Sequence, residues 1–468
     1  LLRYFRINDP YRLLGLLGIL LVIYLPLLID APPTTSPEFN SILVGEVANG
    51  GKSLYIDIVD QTAPLAGWFD AFFELIFGRS IVARHILAMF IILSQATYLG
   101  VVFINKKAFS ESTFVPSLIC IILFSFSYDN LTLTPELLGS GFLLLALNNL
   151  FKEIEFREQR DEPVFNLGLF ISFASLFSFS FAVFLIGAIV ILGIFTRLGA
   201  RKYLLLIFGF LLPHLLLISV FYLRSGLGAL MDFYYIPNLS FDTWSFVPGK
   251  TLWILAILPV MYLVVSFVML NREARFTKYQ SQLVQVMFFW MVFAILQAFY
   301  SKGLRPQSFI TAIPAVCFFV SHFLLLIRRR KFAEMNTWFL FIGIVTIAYL
   351  ARYGQLGGVR YEGMSVKESR IARGVHNKKI LILAQDPGVY LTNQPTEFLN
   401  WKLTREIFEH PEYYENVVRV SNAFAGDAPD IVIDPQQLFK AYLERIPSLK
   451  KDYVLTGSGE YYRVQKKP

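Results

Sequence analysis

The sequence predicts a mainly α, polytopic membrane protein. It has about eleven transmembrane helices, two extracytoplasmic surface helices after the first span and a small C-terminal α/β soluble domain. Three observations carry that fold class. Of the 468 residues, 55% are hydrophobic and 16% aromatic, with a mean hydropathy of +0.55; no soluble globular domain of this size sustains that balance. Apolar runs of near-spanning length recur through the first three quarters of the chain. After Tyr353 the composition turns polar and strand-like segments appear.

The first run, 13–29, lies in YRLLGLLGILLVIYLPLLID, which is long enough to span and lacks a small-residue cleavage site. It reads as a retained span and not as a cleavable signal. Further runs follow at 81–104, 113–128, 134–151, 165–196, 203–223, 251–270, 283–300, 308–327 and 337–352. The 165–196 run is too long for one straight span. SLFSFSF at its middle can turn, which predicts two short helices there.

Charge sets the orientation. LLRYFR and DPYR precede the first run, NKK follows the second and FKEIEFREQR the fourth. TRLGARK, NREARFTK and RRRK then occupy alternate loops, provided that 165–196 crosses twice. The positive-inside rule puts the N-terminus in the cytoplasm and the loop after the first span outside the inner (cytoplasmic) membrane. The formal charge of +8 is spread over these short clusters, so it predicts membrane topology and no nucleic-acid partner.

Residues 1–353 thus form a transmembrane domain, with its first extracytoplasmic loop over 34–80, and 354–468 an extracytoplasmic soluble α/β domain. In the latter, 380–384 reads as a strand, Asp386–Gly388 as a turn, PDIVIDP (429–435) as a second strand and YVLTGSGEYYRVQKK as a closing hairpin. No glycine-rich phosphate loop accompanies them. Cys120 and Cys317 lie inside apolar runs and read as free, buried thiols. The five histidines show no paired spacing, so no metal site is predicted from them. No G-x-S-x-G elbow occurs.

The loop from Pro37 to Ser80 concentrates acids: Glu38, Glu46, Asp57, Asp60, Asp70 and Glu74. Ser36 as N-cap, Pro37 at the first helical position and Gly50–Gly51 at the end delimit one helix. Phe39, Ile42, Leu43 and Val47 fall on one face of it. Pro64 and Gly78 delimit a second helix rich in aromatics suited to the headgroup boundary. Between them KSLYIDIVDQTA is an irregular loop holding Tyr55, Asp57 and Asp60.

These residues resemble the GT-C superfamily of integral membrane glycosyltransferases, to which protein O-mannosyltransferases and the lipid A aminoarabinose transferase belong. GGKSLYIDIVDQTAPLAGWFDAFFELIFGRSIVARH looks like that group's G-x-x-x-Y-x-D, then a Pro, a hydrophobic helix and F-G-x-S-x-x-A-R. TPELLGSGFLLLALNNLF (134–151), RPQSFITAIPAVCFF (305–319) and the C-terminal APDIVIDPQQLFKAYLERI are also similar to members' segments, in the same order.

The resemblance implies transfer of a sugar from a polyprenyl-phosphate to an acceptor. That chemistry needs a carboxylate base and cations for the leaving phosphate. The family's base, commonly Asp, matches Glu38 here, a departure that moves the carboxylate about one methylene outward. Glu38 is also well placed as a simple helix-start acid, where the dipole favours its charge. Asp57 either orients the acceptor or supports a metal, or it ends a turn. Arg305, before Pro306, is a lipid-phosphate ligand or a topology anchor. Arg84 and His85 suit phosphate binding or an internal ion pair. Tyr55, of the Y-x-D match, is a substrate-binding candidate, Lys52 and Arg79 are weaker ones, and Glu136 is a helix-start acid or lines the cavity. Glu46 reads as part of a solvated helix face.

A lipid-linked sugar donor, an acceptor of unspecified kind and membrane lipids are the partners so implied. No cofactor is required by the residues, with a divalent cation left open. The alternative is a non-catalytic GT-C-like scaffold or assembly subunit with partner proteins in a membrane complex. A lipid or solute transporter needs ionisable groups at mid-membrane depth. The polar intrusions read there, Asn148, Asn149, His214 and His322, suit helix packing. The aromatic segment 233–249 suits stacking on a sugar, packing on isoprene or packing against the surface helices.

Overall fold

The computed structural model describes residues 1–156, 161–196, 199–273, 276–369, 371, 374–457 and 459–464. The basic positions 157, 160, 197 and 275, part of the orientation reading, lie outside the described residues, as does the very end of the chain. Two compact units emerge. One comprises Leu1–Pro32, Ser80–Leu217 and Phe241–Met364; the other comprises Pro33–Arg79, Ile218–Ser240 and Ser365–Pro468.

The first unit is helical. Among the described residues of the chain, eight helices are long and apolar enough to cross a membrane: Pro10–Ile29, Ile81–Asn105, Pro135–Glu155, Ala200–Leu223, Gly249–Arg272, Lys278–Tyr300, Pro306–Leu326 and Arg330–Arg352. Three shorter apolar helices, Val115–Phe124, Glu162–Phe177 and Phe179–Phe195, accompany them. The chain is a multi-pass membrane protein, and each predicted run falls on a helix. The 165–196 run does break: one helix ends at Phe177, a short 3-10 turn covers Phe179–Ala182 and a second helix starts at Val183. Close packing uses small residues. An ideal Cβ on Gly168 would lie 2.1 Å from the Leu206 carbonyl oxygen, and one on Gly209 2.4 Å from that of Phe165.

The predicted 113–128 span is helical over Val115–Phe124 only. Ten residues rise about 15 Å, half of a bilayer's hydrocarbon thickness. The chain continues from Ser125 to Thr134 as irregular backbone with one 3-10 turn at Tyr128–Leu131, and every residue of that stretch is buried. Non-helical backbone is tolerated at such depth when protein encloses it.

The second unit joins the first loop to the C-terminal residues. Its five-stranded sheet has the order β2-β1-β3-β5-β4, where β1 is Lys379–Ile382, β2 Gln394–Pro395, β3 Ile431–Ile433, β4 Tyr453–Gly457 and β5 Glu460–Arg463. β1 pairs in parallel with β2 and β3, while β5 runs antiparallel to both β3 and β4. The strand, turn and hairpin expected after residue 379 are all present; the two-residue β2 carried no pattern long enough to read.

The loop helices are Ser36–Asn49 and Pro64–Phe77. Thr35, not Ser36, is the N-cap, with its hydroxyl accepting from the Glu38 amide at 3.4 Å. The apolar face of the first helix packs on the C-terminal sheet. Phe39, Ile42 and Leu43 form one core with Val366, Val389, Tyr390 and the inward Ile380, Ile382, Ile431 and Ile433 of the sheet. That shared core makes the first loop and the C-terminal residues one unit. The second helix keeps an exposed apolar face: Trp68, Phe72, Leu75, Ile76 and Phe77.

Candidate functional site

The candidate residues form two groups, one in each unit. In the second unit, Glu38 occupies the first turn of the Ser36–Asn49 helix and is 2% exposed. The two loop helices touch backbone to backbone farther along the same helix. A Cβ on Gly45 would lie 2.6 Å from the Asp70 carbonyl oxygen, so only glycine allows this approach.

The loop between the helices is tightly knotted. Tyr55 has a φ of 65°, an uncommon backbone state for a bulky residue. Its ring is buried, packing 5.8 Å from Tyr234 and 5.6 Å from Phe221, and its hydroxyl donates to the Thr62 carbonyl at 2.5 Å. This enclosure suits a brace better than a sugar-stacking platform. Tyr234, in the 233–249 segment, packs against this loop. Asp57 stays half-buried and accepts from the Ser53 amide at 2.8 Å. Asp60 is sealed; it accepts from the Thr62 amide at 2.7 Å and from the Thr62 hydroxyl. Burial raises its pKa above the usual carboxylate range, opposed by the hydrogen bonds from Thr62 and Asn40.

The basic residues of this loop are paired. Lys52 forms an ion pair with Glu397, whose carboxyl is pushed up mainly by burial and pulled back by Lys52. Arg79 donates to Glu46 at 2.9 Å, to the Tyr390 carbonyl at 2.8 Å and to the Asn393 carbonyl at 3.2 Å. Glu46 is therefore an ion-pair partner and not a solvated acid.

In the first unit, Arg84 and His85 lie on the Ile81–Asn105 helix at 0% and 1% exposure. Arg305 pairs with Glu136 at 2.8 Å, with side chains 5% and 17% exposed. Its guanidinium also reaches the Gln307 side-chain oxygen at 3.3 Å and lies 6.0 Å from the Phe246 ring. The structure thus brings Arg305 and Glu136 together. It also adds residues that the sequence reading passed over: Gln307 donates its amide to Asp129 at 2.9 Å and its side chain to the Thr132 carbonyl at 3.5 Å. Asp129 is 1% exposed. Beside it Asn130 is wholly buried, and neither atom of its amide has a hydrogen-bond partner among the described residues. Tyr361 meets Ser127 at 3.2 Å and packs edge-on to Tyr128. The signal was available: SYDNLTLT places an acid and an amide at the end of an apolar run, where ionisable groups call for a functional explanation.

Among the described residues, no group of three or more His, Cys, Asp or Glu side chains gathers that could hold a metal ion.

The chain matches no family model and no curated protein. Solved structures do match. ArnT from Cupriavidus metallidurans bound to undecaprenyl phosphate aligns at 12% identity and a TM-score of 0.55, covering 96% of this chain and 97% of that one. The same protein in the apo state gives 13% and 0.53 over the same shares. The Archaeoglobus fulgidus oligosaccharyltransferase tethered to an acceptor peptide gives 9% and 0.49, over 98% of this chain and 74% of that one. The chain shares the fold of ArnT over nearly its whole length.

Proposed function

We propose that this chain is a glycosyltransferase that moves a sugar from a polyprenyl-phosphate donor to an acceptor hydroxyl or amine at the outer face of the inner membrane. The observation that carries the reading is the GT-C fold along 96% of the chain, shared with a protein that binds undecaprenyl phosphate. The N-terminus is cytoplasmic in this reading, and the unit bearing Glu38 is extracytoplasmic.

Glu38 acts as the general base. Its carboxylate takes the acceptor proton as the acceptor atom bonds to the anomeric carbon, and the bond from that carbon to the phosphate oxygen breaks with inversion. The departing lipid phosphate carries the released charge, and Arg305 and Arg84 supply the cations that stabilise it. Asp57, half-buried in its knotted loop, orients the acceptor. Lys52 and Tyr55, engaged inside their own unit, hold that loop and act on substrate only through it.

One observation favours a second reading, a non-catalytic scaffold: Arg305 is enclosed with a counter-charge, Glu136, already in place. Purified protein with polyprenyl-phosphate sugars and a panel of acceptors, assayed with and without EDTA, decides between the readings. Transfer by the wild type, cut about 10²- to 10⁴-fold in Glu38→Gln with lipid-phosphate binding kept, is the expected result. Undiminished turnover in Glu38→Gln removes the base assignment. Lipid binding without transfer to any acceptor supports the scaffold.

A further inference from the structure

We propose that Arg419, on the Tyr414–Asp427 helix of the C-terminal region, is a positioning residue for the loop that carries Asp57. The role assigned to Asp57 above is assumed; the clamp itself stands on geometry within the second unit. Arg419 donates through one terminal nitrogen to the Tyr55 and Ile56 carbonyls, both at 3.3 Å. Its guanidinium lies over the Phe233 ring at 4.5 Å. Asp57, Asp232 and Glu415 are the acids whose charge acts on it, against the burial that opposes its own.

Three separate stretches of chain meet at this side chain. The loop supplies two adjacent carbonyls, the C-terminal helix the guanidinium, and the segment Met231–Tyr235 the ring beneath it. That last segment is π-helical, a rare geometry frequent at functional sites. Its next residue, Tyr234, stacks on Tyr55. The clamp therefore grips Tyr55 from both sides, ring and carbonyl. It does so where the backbone is left-handed, a state unfavourable for a side-chain-bearing residue that persists when the surroundings over-determine it. Asp57 is two residues away.

A lysine cannot replace this arrangement. It can reach one carbonyl as a point charge, but it cannot stack on Phe233 while doing so, whereas the planar fork does both. Arg419 touches no reacting atom in this scheme. Its effect on transfer is that of holding Asp57 in register, and an error of about 1 Å in such a group costs roughly 10²-fold in rate.

The test uses full-length wild type, Arg419→Ala, Arg419→Lys, Asp57→Asn and the Arg419→Ala/Asp57→Asn double variant. Hydrogen exchange reads the clamp. Amides of 53–62 are expected to exchange faster in both Arg419 variants, while those of β1 and β3 keep their protection, which shows the fold intact. Unchanged exchange at 53–62 overturns the clamp. Transfer kinetics read its use: kcat falls about 10²-fold with KM for the lipid donor unchanged, lysine does not rescue it, and the double variant is no slower than Asp57→Asn alone. Additive losses, or full kcat in Arg419→Ala beside an active wild type, overturn the positioning role alone. A wild type without turnover overturns the transferase reading and the positioning role with it, and leaves the exchange result to judge the clamp.

Discussion

Replacing Glu136 by Gln removes the counter-charge of Arg305 while keeping the shape of the side chain. The ion pair spans 2.8 Å with Arg305 5% exposed. At an effective dielectric near 20 the attraction is about 6 kcal/mol. Desolvating two ions costs several kcal/mol each, so the intact pair contributes little net stability. Removing one partner is a different matter, since the guanidinium stays enclosed with the desolvation cost unopposed. Such losses run at about 3–5 kcal/mol. The Gln307 oxygen at 3.3 Å retains part of the support, which brings the expectation to the lower end. Thermal unfolding in detergent should therefore fall by several degrees.

The same substitution separates the two readings of Arg305. If Arg305 receives a lipid phosphate, Glu136 occupies the phosphate's place. Added polyprenyl phosphate should then raise the unfolding temperature of Glu136→Gln by more than it raises that of wild type, through mass action on the folded state. Arg305→Met combined with Glu136→Leu should recover most of the lost stability, as apolar replacement of a buried pair does, and should lose the lipid-phosphate response. An unfolding temperature within about 1 °C of wild type refutes the energetic argument. Equal responses to lipid phosphate in wild type and Glu136→Gln refute the phosphate role.

Gly45→Val should cost about 1–3 kcal/mol by overpacking, because the new Cβ starts 2.6 Å from a backbone oxygen that cannot yield alone; denaturation and transfer measured together should both suffer, since this helix carries Glu38. Asp60→Asn tests a pH dependence. Burial raises the folded pKa of Asp60 above its unfolded value, so the unfolded state releases the proton first. The stability conferred by the protonated group is thus complete below about pH 4 and is lost as pH rises through the folded pKa. The unfolding temperature of wild type minus that of Asp60→Asn should fall between pH 4 and pH 7, and a rise reverses the assignment.

The helical part of the fold was legible because bilayer solvent makes length and apolarity nearly sufficient evidence. Even the break at 177–183 followed from a run too long to be one helix and a serine-rich middle. The 113–128 run was misjudged for a related reason. Apolarity reports enclosure and cannot distinguish lipid from protein, so Ser125–Tyr128, buried yet irregular, passed as the end of a helix. The polar contacts of the first unit were hidden differently. Arg305 and Glu136, or Gln307 and Asp129, are more than 160 residues apart in sequence, and single residues carry no mark of a distant partner. Only Asp129, an acid ending an apolar run, announced itself in composition.

The first loop helix shows how far periodicity reaches. Phe39, Ile42, Leu43 and Val47 announce a buried face, and a membrane surface or a sheet satisfies that pattern equally. What decides is the demand from the other side. β1 and β3 are parallel neighbours at the sheet centre and read as continuous apolar runs, KILI and IVI. Parallel strands of this kind are buried on both faces. Ile380, Ile382, Ile431 and Ile433 therefore need cover on one side, and Leu381 and Val432 on the other. The C-terminal region offers amphipathic helices at Trp401–Glu409 and Tyr414–Asp427, but the Ile380 face is closed by Phe39, Ile42 and Leu43. The sheet and the helix that bears Glu38 thus complete one core. The orientation of the candidate base is consequently a property of the C-terminal fold as much as of the loop in which it is written.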